Sequence, residues 1–362
     1  MKIKLNLTPW LFLAPALIYF TIMVVYPIIG SVHISFHDWN GTQFKCSDGR
    51  DIKSLQENEF CRKIPDMKYV GFENYERFFK KTPKDLNKIK KYWQKVFDPG
   101  DNMIGVPILD QGIGLISTLT DGKKTKWPRL SIETKIILNT LKWLIFFPLA
   151  IPIGLGLALF LNQIGWFVKL SKSLIFFPFV ISAAVIGFVF QFFYDPNGGL
   201  LSPIYEYLGW KDGIIGDKDK ATYGIIAAAW YRQIGYCLII YLAGLTSVNS
   251  EQIEAARMDG ASGWKLFRYI VLPQLWPSTF VALVVTIIGA LRTDSFDMTQ
   301  IMTEGGPGRG ASDVMSRYMF QKTLFDQDYG YGSAISVLLF MFMLIFIITF
   351  IIRMYYQDEN LR

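Results

Sequence analysis

Apolar positions in this chain gather into six long runs, at about 10–31, 136–162, 171–194, 222–247, 277–300 and 331–354. Each is near the ~20 residues that a helix rising about 1.5 Å per residue needs to cross a hydrocarbon layer of about 30 Å. The pattern predicts an all-α polytopic membrane protein of about six helices. The first run follows Lys2 and Lys4, as the core of a secretory signal would. It is longer than a usual signal core, and no small-x-small cleavage site follows, so it reads as a retained span.

Composition agrees with this reading. Of 362 residues, 51% are hydrophobic and 19% charged, against roughly 25% charged in soluble domains. The formal charge of +7 does not point to nucleic acid, because the charges sit in loops and not on one groove-sized face. Lys and Arg near the span ends favour one side by nine to six, Lys169, Lys172, Arg257, Lys265 and Arg268 among the nine. The positive-inside rule therefore places both termini and the loop 248–276 in the cytoplasm. The division expected is an N-terminus and first span (1–32), an extracytoplasmic insertion (33–135) and a core transmembrane domain (136–362).

The insertion mixes charges of both signs, carries the lysine-rich run KKTPKDLNKIKKYWQK, and holds Cys46 and Cys61 with 14 residues between them. In an oxidising compartment these two are a candidate disulfide, worth about 3 kcal/mol on a chain-entropy model; two unpaired thiols are the alternative. Cys237, inside the fourth run, reads as a small packing residue.

One polar stretch interrupts the apolar pattern between the fourth and fifth runs. Asn249 and Gln252 have capping-box spacing, which starts a helix at Ser250–Met258, and Gly260 suits the left-handed position that ends it. Ser262 is a candidate cap for a second helix, with Trp264, Phe267, Ile270 and Val271 on one face, and Pro273 and Pro277 lead into the fifth run. A rigid interfacial loop and a docking helix gripped by another protein both fit this geometry.

Glu254, Ala255, Ala256, Asp259, Gly260, Ala261, Phe267, Ile270, Leu272 and Pro273 resemble, in order and spacing, the EAA loop of ABC-importer permeases. LFLAPALIYF, YPIIGSVHISFHDW, YVGFENY, LNTLKWLIFFPLAIPIGLGLALFLN, FDMTQIMTEGGPG and GYGSAIS are similar to the sugar-importer branch related to MalF. The likeness weakens at about 41–67 and 81–131, which look like insertions. The resemblance implies a type I importer transmembrane domain in a bacterial or archaeal cell membrane, forming half of an alternating-access path. Implied partners are a second, MalG-like permease, two MalK-like ATP-binding subunits and an extracytoplasmic solute-binding protein. No cofactor is expected in this chain, with ATP and Mg on the partner ATPase. In keeping with this, no GxxxxGK[ST] phosphate loop occurs, and GGPGRGAS lacks the lysine and reads as an external turn.

Charge inside a span is costly, so Arg232 and Gln233 in the fourth run and Arg292, Asp294 and Asp297 in the fifth should face protein or a watery path. Arg292 lies about 22 Å along its helix from Pro277. Trp230, Tyr236 and Phe296 suit stacking on sugar rings. The alternative is structural: aromatic packing, and an internal ion pair such as Arg232 with Asp294. His33 and His37 are four apart without a convincing third ligand, so no metal site is expected. Two other functions remain: a permease for glycerol phosphate or an amino acid, and a membrane-embedded enzyme, for which Asp294 with Asp297 is a weak foothold.

Overall fold

A computed structural model describes residues 7–41, 44–46, 61, 63–96, 129–162, 165–308 and 310–359. The chain forms two compact units, one of Met1–Lys80 with Tyr318–Phe342 and one of Lys81–Arg317 with Met343–Arg362.

In the first unit, helix α1 (Leu7–Phe20) runs through a π-turn at Thr21–Val25 into α2 (Tyr26–Ser35). Together they make a span, Phe12–Ser35, whose apolar side chains stay uncovered by this chain, Phe12 and Ile29 among them. Two antiparallel ribbons follow. Strand β1 (His37–Asp38) pairs with β4 (Lys68–Tyr69), and β2 (Phe44–Cys46) with β3 (Lys63–Pro65). Cys46 and Cys61 are joined in a disulfide, Cα atoms 5.5 Å apart. Helix α3 (Glu73–Phe79) is pinned to the end of α2, where Asn74 Nδ2 donates to the carbonyls of Ser35 at 2.9 Å and His37 at 3.1 Å. Its Arg77 pairs with Asp328 at 2.7 Å and lies over the Tyr331 ring, 4.2 Å from the centroid.

The second unit opens with α4 (Thr82–Val96) and then the helical bundle. Helix α5 (Ile132–Phe146) starts at a Ser131 cap whose hydroxyl accepts from the Thr134 amide, and passes a one-turn 3-10 segment at Pro148 into α6 (Ala150–Phe160). Helices α7 (Trp166–Val180), α8 (Ala183–Phe193), α9 (Ser202–Leu208) and α10 (Ala221–Thr246) follow. The core forms around α10. Trp143, Phe147, Ile225, Ile226 and Met298 fill one cluster, and Leu238, Tyr241, Leu275 and Ala282 another. Gly235 lets α10 lie directly against the Ile175 carbonyl, a backbone approach typical of helices packed in lipid.

Two expected spans are not single rods. The run 171–194 is bent by 101° between α7 and α8, because Ile181 is extended and Ser182 caps a new helix. The run 277–300 is divided at Arg292, between α13 (Trp276–Leu291) and α14 (Thr293–Met302). Among the described residues, four helices are long and apolar enough to cross a membrane, or up to six if each of two bent pairs, α7 with α8 and Gly263–Gln274 with α13, is one span. The chain then continues through α15 (Met315–Phe320) into α16 (Tyr329–Glu359).

Candidate coupling helix and transport path

The polar insert folds as helix α11 (Ser250–Met258), at the bounds the capping residues predict. Asn249 Oδ1 accepts from the amides of Glu251 at 2.8 Å and Gln252 at 3.4 Å. The reciprocal half of the cap differs from the sequence expectation. The Asn249 amide donates to Gln274 Oε1 at 2.9 Å, while Gln274 Nε2 donates to Gln252 Oε1 at 3.0 Å. A residue 25 positions away thus completes the box and closes the insert on itself.

At the other end Gly260 sits at φ +82°, the Ala261 amide donates to the Ala256 carbonyl at 2.8 Å, and that of Gly260 to the Arg257 carbonyl at 3.0 Å. This is a Schellman termination, which satisfies carbonyls that would otherwise be left open. Helix α11 has no buried residue, and Met258 is 88% exposed. A short helix so thoroughly capped, with none of its residues buried, is a rigid projection. Ser262 occupies the N-cap position of α12 (Gly263–Leu266), but its hydroxyl makes no capping bond, contrary to expectation; its carbonyl accepts from the Lys265 amide at 3.1 Å instead. The helix continues as a π-turn, Phe267–Val271, and Leu272–Gln274, then bends by 68° into α13. Of the EAA-type residues, Glu254, Ala255, Asp259, Gly260 and Pro273 are exposed, while Ala256, Ala261, Phe267, Ile270 and Leu272 are half-buried.

The second group of candidate residues converges on α10. Arg232 Nη1 pairs with Asp294 of α14, its Nε donates to the Ile181 carbonyl at 3.4 Å, and its guanidinium lies 5.0 Å from the Phe179 ring centroid. The ion pair therefore ties α10 to α14 and to the break between α7 and α8. Asp297 is half-buried one turn on, and Arg292, at the break before α14, is exposed. Gln233 is buried and donates to Thr286 of α13 at 2.7 Å. Trp230 Nε1 donates to the Phe146 carbonyl at 3.1 Å, and Tyr236 packs on Phe179 with centroids 5.0 Å apart. Phe296 is half-buried. His33 and His37 stack at 4.4 Å, and no metal-holding group is found among the described residues.

Two polar residues of α5 escape sequence reasoning because they sit in an apolar run without a motif. Asn139 Nδ2 donates to the carbonyls of Ala311 at 2.9 Å and Asp313 at 3.1 Å, so it holds the glycine-rich turn on the bundle. That turn carries Gly305, Gly306, Gly308 and Gly310, all at positive φ, and its irregular backbone needs such a donor. Lys142, one turn further, places its ammonium 5.1 Å from the Tyr223 ring centroid. Its signal was simply a lysine among LNTLKWLIFF. In the turn itself, burial pushes the Asp313 carboxyl up to about 6 even though Arg317 Nη1 lies 3.6 Å away.

These features define a polytopic membrane subunit with a rigid helix projecting from its bundle. The model of the family described as the binding-protein-dependent transport system inner membrane component matches residues 150–361, and the chain belongs to that family. It is 30% identical, over 97% of this chain and 96% of the relative, to a probable ABC transporter permease of Pyrococcus horikoshii. It is 27% identical to the alpha-glucoside transport system permease of Rhizobium meliloti, over 94% of this chain and 80% of that protein. Identity to the trehalose/maltose transport system permease of Thermococcus litoralis is 26%, over 94% and 92% respectively. The fold matches the crystal structure of a bacterial ABC transporter involved in import of the acidic polysaccharide alginate, with a TM-score of 0.54 and 21% identity, over 76% of this chain and 97% of that one. This chain is accordingly a multi-pass membrane permease, a transport subunit and not an enzyme. Membership implies partner chains: an ATPase, a further permease and a solute-binding protein.

Proposed function

We propose that this permease imports a sugar, glycoside or polyol, forming half of an alternating-access path and coupled to ATP-binding subunits through α11. The observation that carries the coupling is the projecting helix itself, capped at both ends and burying none of its own residues. A partner that grips such a helix moves it as one body, and the Gln274 bridge passes that displacement towards α13. The sugar class is supported by relatives whose names specify alpha-glucosides and trehalose or maltose.

In this reading the second permease is MalG-like and the two ATP-binding subunits MalK-like, with ATP and Mg bound there. Both termini and the 248–276 loop face the cytoplasm, and the 33–135 segment lies outside. Residues around Gln233, Tyr236 and Trp230 contribute to the solute path, while the Arg232–Asp294 pair holds its wall together. The test is reconstitution of the complete transporter with its binding protein. Gly260→Pro forbids the positive φ of the cap, and Glu254→Lys reverses the charge on the exposed face. Both variants should assemble in the membrane yet lose solute uptake; normal uptake in either sinks the coupling role of α11. Screening the binding protein against neutral glycosides, glycerol phosphate and amino acids decides the solute class.

A further inference from the structure

Helix α4 carries a feature that lies outside both the coupling helix and the candidate solute path. Lys81, just ahead of it, and Lys84, Lys88 and Lys91 within it recur at spacings of three, four and three, so they fall along one flank of the helix. They span about 15 Å at 1.5 Å per residue. All four side chains are exposed. Lys88 bonds to Asp85 at 2.7 Å; among the described residues Lys81, Lys84 and Lys91 have no acidic partner. On the other flank Ile89 is half-buried and Leu86, 53% exposed, shows apolar surface.

The position of this helix is fixed from within the same unit. Asp85 accepts from the Ser131 amide at 2.7 Å and from Thr134 Oγ1 at 3.0 Å, and Lys88 Nζ donates to the Arg129 carbonyl at 3.3 Å. Ser131 caps α5, whose span begins at Ile132. The stripe is therefore tethered about five residues, or roughly 7 Å, ahead of the apolar run at 136–162, which is the distance from the hydrocarbon at which phospholipid headgroups lie. A helix with uncovered apolar surface on one flank and unpaired lysines on another has the chemistry of an interfacial helix. Clustered lysines beside a span attract anionic lipid over a Debye length or so.

We propose that α4 rests on the bilayer surface and that Lys81, Lys84 and Lys91 bind the phosphates of anionic phospholipids such as phosphatidylglycerol. The site anchors the segment that precedes α5, and its occupancy depends on the lipid composition of the membrane. It does not rest on which solute is carried.

The experiment compares hydrogen–deuterium exchange of residues 82–96 in the full-length chain with its partner subunits. Nanodiscs of phosphatidylcholine alone are set against nanodiscs with phosphatidylglycerol mixed in. Exchange should slow by about tenfold or more with the anionic lipid, and added salt should reverse the effect. The variant with K81Q, K84Q and K91Q together should lose the difference, while the matching arginine variant keeps it. Lys88 is left intact because its bond to Asp85 belongs to the fold. Equal exchange in both bilayers, or a lipid effect unchanged in the glutamine variant, overturns the proposal. Slowing by inorganic phosphate in phosphatidylcholine nanodiscs overturns the lipid assignment. Slowing that appears only when the solute-binding protein is added assigns the stripe to that protein instead.

Discussion

The side chain of Gln274 receives the backbone N–H of Asn249 at 2.9 Å, across 25 residues of chain. Its amide nitrogen reaches on to Gln252 at 3.0 Å and to the Ile270 carbonyl at 3.1 Å. One glutamine thus joins the first turn of the projecting helix to the segment that enters the fifth span. Without it the two helices of the insert are held by their connecting turn and the packing of half-buried residues such as Ala256 and Ile270.

Gln274→Ala should leave assembly intact and loosen coupling. Each lost hydrogen bond is worth about 0.5–1.5 kcal/mol, so the solute transported per ATP hydrolysed should fall by about twofold to tenfold. Paired uptake and phosphate-release assays on reconstituted transporter check this. Unchanged stoichiometry means the insert is held rigid by its partner and not by this bridge.

The Arg232–Asp294 pair makes an asymmetric prediction. The two side chains are 21% and 9% exposed, so removing only one partner strands a charge inside the bundle. Arg232→Met should cost about 3–5 kcal/mol, and the double variant Arg232→Met with Asp294→Leu should recover most of it. Melting of the detergent-purified complex reads both. A single variant that melts normally but no longer transports would place Arg232 in the solute path instead of its wall.

Asp313 gives a pH dependence. Burial raises its carboxyl to about 6, above the ordinary aspartate value near 4, so the folded turn holds the proton more tightly than the unfolded chain. Its contribution to stability is therefore complete below the unfolded value and lost as pH rises through about 6. Between pH ~5 and pH ~7 the wild-type complex should lose about 1.3 kcal/mol from this group, the rest of its contribution going between pH ~4 and pH ~5. Asp313→Asn should flatten that part of the melting curve, measured across the same pH series.

The disulfide is confined to the first unit, and so should be its effect. Cys46→Ser should change mobility on a non-reducing gel and make the β2–β3 ribbon more sensitive to protease, with a loss of about 3 kcal/mol on the chain-entropy model. ATPase activity of the assembled transporter should change little.

The sequence by itself determined what local chemistry controls. Apolar runs located the membrane helices because lipid imposes length and composition on each one independently. The bounds of α11 were legible because Asn249 and Gly260 act on backbone within a few residues. Membership in a permease family was legible for a similar reason, since the signature of the insert is a short linear pattern. Tertiary structure decided whatever depends on partners distant in the chain. It made Gln274 the second half of the cap, tied the Arg232–Asp294 pair that the sequence had offered to the break at Ile181, and turned Asn139 and Lys142 from oddities of an apolar run into contacts with a turn and a ring. It also bent the third span at Ile181, where the apolar pattern alone read as continuous. Hydropathy records how a side chain partitions into lipid; it does not record which polar group across the bundle satisfies it, and that is settled only when the helices pack.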